Sequence, residues 1–322
     1  MAIPTRTDTL DTFFAATISD RGRKLVDASI VGVPYFNELY KKEKITTRGG
    51  SYIERPIEHG RIPVSGYKRA GTVTAEYTEI ATMLKYEWKF LVGGVVRLYA
   101  DDKRNTGQKA IFDIAKAMVN NLRKSFAENM ESYAFSDGTA DNSSVPMGLK
   151  GIVHSSPSSS YTIGGLNQST YPWWRNYQQA ATGAASVYLT SDMEHFYNTI
   201  SRGRSVDTPD LIATDQTSYE LLFEETLEPM RIINKTQKAD VTYESIVWKG
   251  KQVIWSPQCT SGYMYFLNRN YIELNVLAGC DFDVTGWERI PGSLDRVLYI
   301  VLGCEHLSNN RAAHGVLTGI AA

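Results

Sequence analysis

Between Lys44 and Phe90 the residues read as strands, and in the second half of that stretch the polar and apolar positions alternate. Ile45, Thr47, Tyr52, Ile53 and Ile57 are β-formers on a first limb. A turn-rich tip, His59-Gly-Arg-Ile-Pro-Val-Ser-Gly66, follows, and the returning limb alternates at Val73, Ala75 and Tyr77 and again at Leu84, Tyr86, Trp88 and Phe90. Period two over such a length predicts a long two-stranded arm with a glycine-proline tip. An isolated hairpin is marginal in water, so this one is expected to lie on another surface.

The period then changes. Ile111, Ile114, Ala115, Met118, Leu122, Phe126, Met130 and Tyr133 recur at three- and four-residue steps, which predicts a helix over 105–133 with Asn105 or Thr106 as its cap. About 28 residues make a rod of ~42 Å whose single apolar stripe would cover a sheet. Ahead of the hairpin, the first 40 residues are mixed, with weak helical spacing at Leu10, Phe13, Phe14 and Ile18, and Gly32 and Pro34 suggest an extended arm. After the helix come a turn-forming loop (136–146) and Gly148-Leu-Lys-Gly-Ile-Val153. Next are a helix near Asp192–Ser201, a buried strand at Pro209–Thr214 and a helix at Gln216–Glu228. Strands follow at Ser245–Trp248, Gln252–Trp255 (across a Lys249-Gly250 turn), Tyr263–Leu267, Tyr271–Leu277, Phe282–Trp287, Val297–Cys304 and Ala312–Val316. Helices and strands in this mixed order predict an α+β class.

Charge sharpens the picture of the hairpin. The whole chain of 322 residues has 34 basic and 35 acidic residues, a net −1, so no global field draws it to nucleic acid or a membrane. Locally, 41–69 hold eight bases (Lys41, Lys42, Lys44, Arg48, Arg55, Arg61, Lys68, Arg69) against Glu43, Glu54 and Glu58, a net +5. That limb is expected to dock by charge, with Arg61, Lys68 and Arg69 as contact residues and an acidic surface bearing Glu224, Glu225 and Glu228 as a partner. Three cysteines without a C-x-x-C pair predict free thiols, and no apolar run reaches the length of a membrane span.

Catalytic patterns are absent. No phosphate-binding G-x-x-x-x-G-K-[ST], no H-E-x-x-H, no calcium loop and no G-x-S-x-G elbow occurs, and His59, His154, His195, His306 and His314 show no ligand spacing. The expectation is a protein that is not an enzyme and needs no cofactor or metal; a hydrolase with a dispersed triad is the alternative from another class. One segment stands out: Gly164-Gly-Leu-Asn-Gln-Ser-Thr-Tyr-Pro-Trp-Trp-Arg-Asn176. In a strand, Trp173 and Trp174 would face opposite ways and one would need a cover. The segment reads equally as a core anchor or as an interface carrying Trp173, Trp174 and Arg175.

The phrase Gly165-Leu-Asn-Gln-Ser-Thr-Tyr-Pro-Trp-Trp-Arg-Asn176 resembles a stretch common in major capsid proteins of tailed double-stranded DNA phages. Gly148-Leu-Lys-Gly-Ile-Val153 and Pro209-Asp-Leu-Ile-Ala-Thr214 with Tyr219 are similar to further steps of that family, and the order of elements fits over nearly the whole chain. The resemblance implies the HK97-like fold: an N-terminal arm (1–43), an extended loop (44–90), a peripheral domain (91–137 and 268–322) with a spine helix (105–133), and an axial domain (138–267). It implies a coat protein that self-assembles as hexamers and pentamers into an icosahedral shell around packaged DNA, held without sequence-specific contacts. It places the chain in the virion capsid, assembled in the host cytoplasm. Its other implied partners are a scaffolding protein, a portal protein and a decoration or cement protein. Some relatives carry a scaffolding extension ahead of the arm; none precedes it here, so a separate scaffold is expected. An encapsulin-like compartment shell is the alternative within the same fold.

Overall fold

A computed structural model describes residues 32–42, 44–47, 49–66, 69, 77–100, 114–202, 208–227 and 246–321. The elements begin with α1 (Pro34–Lys42), β1 (Lys44–Thr47), β2 (Tyr52–Glu58), β3 (Ala81–Glu87), β4 (Lys89–Arg97) and α2 (Ile114–Ala134). Single helical turns α3 (Ala140–Ser143) and α4 (Leu149–Ile152) precede β5 (Thr162–Ile163), β6 (Leu166–Asn167), a 3-10 turn at Pro172–Trp174, and β7 (Tyr177–Ala180). Then come α5 (Ala185–Ser201), β8 (Leu211–Thr214), α6 (Gln216–Leu227), β9 (Ile246–Trp248), β10 (Lys251–Trp255) and β11 (Tyr263–Leu267). The chain closes with β12 (Ile272–Leu277), β13 (Asp283–Val284), β14 (Glu288–Arg289), β15 (Arg296–Ser308) and β16 (Gly315–Thr318). The mixed class is the expected one.

Two compact units share these elements. The larger comprises Val33–Leu91, Asn129–Asp281 and Leu302–Ala322; the described part of the smaller lies in Val92–Glu128 and Phe282–Val301.

The larger unit is organised by a sheet of order β7-β16-β11-β8-β10-β9. β8 sits inside it, so all four of its residues are buried and a continuous apolar run is what the position requires. Leu189, Met193, Phe196 and Ile200 of α5 and Leu222 of α6 close over Ile212, Val253, Phe266 and Leu317. Lys249 and Gly250 both take positive φ, which makes the β9–β10 turn the kind that matches strand twist.

A second ladder of this unit runs β1-β12-β15, with β1 parallel to β12 and Ile272–Val276 antiparallel to Cys304–Ser308. Here the expected extended arm is corrected at its end. Pro34–Lys42 is a helix with Tyr35, Phe36 and Leu39 buried, because Pro34 suits a first helical position and Glu131 caps the turn. The Glu131 carboxylate, itself buried, accepts the N–H groups of Tyr35 (3.3 Å) and Phe36 (2.6 Å). Residues 1–31 of the expected arm lie outside the described residues, as do 101–113 with Asn105 and Thr106.

In the smaller unit β15 pairs with β13 through Ile300 and Val301 and with β14 through Arg296 and Val297. The stripe predicted on α2 does meet a sheet residue. A Cβ at Gly93 of β4 would come within 2.6 Å of the Leu122 and Phe126 side chains and push them aside, so the glycine lets the helix lie close, and Phe126 packs edge-on against Phe282 at 5.8 Å. Val95, Leu298 and Ile300 are buried, whereas Val92, Val96 and Tyr299 stay exposed.

Candidate functional site: the hairpin and its seat

β2 and β3 pair antiparallel from Tyr52↔Glu87 to Glu58↔Ala81, so Ile53 and Ile57 share one face with Leu84 and Tyr86. That face is seated on the same chain, against Ile163, Trp174 and Leu307. Burial of a side chain such as Ile53 or Leu84 contributes about 1.5–3 kcal/mol, enough to hold a hairpin that would be marginal alone. Polar ties complete the seat. Tyr86 Oη donates to the Ser308 carbonyl (2.8 Å), and Lys85 N–H donates to the Gly164 carbonyl (3.1 Å). On the other strand Arg55 donates to Glu273 Oε2 through Nε (3.0 Å) and Nη2 (2.8 Å), and to Asn275 Oδ1 (3.0 Å).

These pairings change the charge picture. Arg55 is spent on Glu273, and Arg61 is paired with Glu58 on its own limb. Glu54, Glu58 and Glu87 line the outward face with Lys85, so the described body of the hairpin is not a basic surface. Arg61 and Arg69 are exposed, and Lys68 lies outside the described residues. Among the proposed acidic partners Glu224 is exposed, while the Glu225 side chain and Glu228 lie outside the described residues. The tip shows apolar groups to solvent: Ile62 is 68% exposed, Val64 98% and Tyr77 96%.

The two tryptophans part company in a 3-10 turn, not in a strand. Trp174 is fully buried and donates from Nε1 to the Ile163 carbonyl at 3.1 Å, which leaves it no surface for a neighbour. Trp173 is half-buried and stacks on His59, ring centroids 4.4 Å apart and planes 10° apart. Arg175 is turned inward, donating from Nε to the Gln168 carbonyl (2.7 Å) and from Nη2 to the Ser169 carbonyl (2.9 Å), so it closes its own loop. Beneath lies Arg311, fully buried over the Trp174 ring at 5.7 Å, bound to the Ile152 carbonyl (2.6 Å), Gln168 Oε1 and Asn176 Oδ1 (3.0 Å each). Burial pushes its pKa down to about 10. Nothing in the sequence marked Arg311, since a lone arginine reads as a surface residue. The glycine step is explained by contact: a Cβ at Gly148 would fall 2.3 Å from the Tyr133 carbonyl oxygen at the end of α2.

No protein-family model and no curated protein matches the sequence. Solved structures do. The capsid asymmetric unit of cyanophage A-1(L) aligns over 94% of this chain and 97% of its own, at 14% identity and a TM-score of 0.73. This is the HK97-like capsid fold. The capsid of Myoviridae phage XM1 (8% identity, 99% of each chain, TM-score 0.63) has it too. So does the holo-SrpI encapsulin of Synechococcus elongatus PCC 7942 (10% identity, 100% of this chain and 97% of that, TM-score 0.60). The resemblance seen in the sequence is thus matched by the fold.

Within this capsid fold the serine–histidine pair that a hydrolase would need is wired the wrong way. His314 Nδ1 accepts the Asn268 N–H (3.1 Å), so the ring proton sits on Nε2 and is donated to Ser308 Oγ (3.0 Å). A catalytic base needs a lone pair there. Burial pushes His314 down to about 3, and Ser308 is buried with it. His306 takes the opposite tautomer: Nδ1–H donates to the Met147 carbonyl (2.9 Å), Nε2 faces Tyr35 Oη, and burial lowers its pKa to about 4. Its neighbour Glu305, raised by burial to about 8, accepts the Met147 N–H at 2.8 Å, so two consecutive β15 side chains hold both backbone polar groups of one residue. No group of three or more His, Cys, Asp and Glu among the described residues could hold a metal, and no described helix is long and apolar enough to cross a membrane. The three cysteines are free, with Cys259 and Cys304 buried.

Proposed function

We propose that the chain is the major capsid protein of a tailed phage, assembling with copies of itself as hexamers and pentamers into an icosahedral shell around double-stranded DNA. The observation that carries this reading is the likeness in fold to capsid proteins over nearly the full length of both chains. We read 1–43 as the arm, 44–90 as the extended loop, 91–137 with 268–322 as the peripheral domain and 138–267 as the axial domain. A scaffold, a portal and a decoration protein are the further partners, assembly takes place in the host cytoplasm, and the chain ends in the virion.

The geometry favours an apolar docking contact over the charge-steered one. Arg55 and Arg61 are already paired with carboxylates, while Ile62, Val64 and Tyr77 have no cover among the described residues. The uncovered Val92, Val96 and Tyr299 of a neighbouring copy have matching chemistry. Trp173, Arg61, Lys68 and Arg69 remain interface candidates.

Electron microscopy of the purified protein, alone and with a candidate scaffold, tests the proposal. Closed shells, hexamers or pentamers are expected, with nucleic acid inside native particles by the 260/280 nm ratio. A stable monomer under both conditions overturns it. The encapsulin match supports a second reading, a compartment shell, which predicts protein cargo in place of DNA.

A further inference from the structure

We propose that the stack of His59 on Trp173 is a pin that sets the direction in which the hairpin leaves its own subunit, which makes Trp173 a positioning residue for the tip's contact with a second copy. The inference rests on the shell reading above.

Position is the first argument. His59 and Gly60 both donate to the Ile80 carbonyl, at 2.9 and 3.2 Å, and close the last rung of the hairpin. Among the described residues no backbone hydrogen bond joins the two limbs beyond that rung. Ile53 and Tyr86 seat the base, Ile57 packs on the same cluster further out, and His59 lies two residues beyond Ile57 and six beyond Ile53, ~20 Å from the latter at strand rise. A contact at that far end controls the angle of the hairpin more than any contact at its base.

Rigidity of the support is the second. Trp173 stands on a turn whose next residue, Trp174, is sealed in the core and bonded to Ile163. Arg175 closes the loop on the Gln168 and Ser169 carbonyls, and buried Arg311 holds Gln168 and Asn176 from below. Tyr171 flanks the Trp173 ring at 5.7 Å. The Pro172-Trp-Trp-Arg175 segment is therefore a pedestal with one ring face offered to the hairpin, and near-parallel planes make the stack sensitive to direction.

The test is a distance measurement between spin labels on the unassembled subunit, at Ala81→Cys, exposed on the last paired rung beside the pin, and Ser186→Cys, with Cys280→Ser removing the half-buried native thiol. The parent should give a single narrow distance peak. Trp173→Ala and His59→Ala should each lose it, and Trp173→Phe, which keeps a ring face, should restore it. His59→Ala leaves the pedestal intact, so it reads the pin even where Trp173→Ala fails to fold. An unchanged narrow peak in His59→Ala overturns the proposal. Shell formation is scored separately: a chain that never assembles counts against the shell reading and not against the pin.

Discussion

Near its base the hairpin is held entirely by its own chain, with Tyr86 on the Ser308 carbonyl, Arg55 on Glu273, and Ile53 and Leu84 in a shared core. Beyond the His59–Trp173 stack, Ile62, Val64 and Tyr77 stand in solvent with no partner among the described residues. One continuous element thus satisfies its polar groups internally at one end and leaves apolar groups unsatisfied at the other. A surface of that kind costs solubility unless another molecule covers it, so the tip is the end to test for assembly and the base is the end to test for folding.

The largest effect is expected below the base. Arg311→Ala would strand the Ile152 carbonyl and Gln168 Oε1, leave Asn176 Oδ1 with the His154 N–H alone, and open a void under Trp174, at a cost of about 3–5 kcal/mol in chemical denaturation. A loss within ~0.5 kcal/mol would show that the seat is not built on Arg311. Glu131→Gln comes next: one of the Tyr35 and Phe36 N–H groups would face an NH₂ donor, costing about 1–2 kcal/mol and speeding hydrogen exchange in α1 first.

A pH profile separates folding from assembly in another way. Glu305, raised from 4.5 to about 8, keeps a proton in the folded state that the unfolded chain has released, so it makes stability fall as pH climbs through that range. His306 and His314, depressed below 6.5, act oppositely, because the unfolded chain takes up protons as pH drops below that value. Maximum stability is therefore expected near pH 6.5, with a decline toward about pH 8 that Glu305→Gln should flatten. A decline that persists unchanged in the variant would place the titrating group elsewhere.

At the tip the expected effect on stability is the smallest. Val64→Asp should leave the unfolding free energy of the subunit unchanged, within ~0.5 kcal/mol, while abolishing shells seen by electron microscopy. Arg61→Glu should impair assembly less, since Arg61 is already paired with Glu58. The reverse ranking would restore charge as the docking force.

Much of the fold was legible because its cues are local. The alternation at Leu84, Tyr86 and Trp88, the Lys249-Gly250 turn and the apolar run into β8 each announce an element within a few residues. The candidate site was legible only in part. The Pro172-Trp-Trp-Arg175 segment was visible as unusual, but which ring faces inward depends on a 3-10 turn and on Ile163, Gln168 and Arg311. Helix α1 is not legible locally because its cap, Glu131, lies 95 residues beyond Phe36.

Periodicity and turn chemistry, which act between near neighbours, determined the hairpin, the helix that ends at Ala134 and the strand-rich end. Tertiary structure alone decided which charges remain available and which aromatic is sealed. Arg55 meets Glu273 across 218 positions, and Trp174 meets a guanidinium that no local pattern distinguishes from a surface one. Desolvation and partner geometry settle such pairings, and both exist only once the chain has folded back on itself.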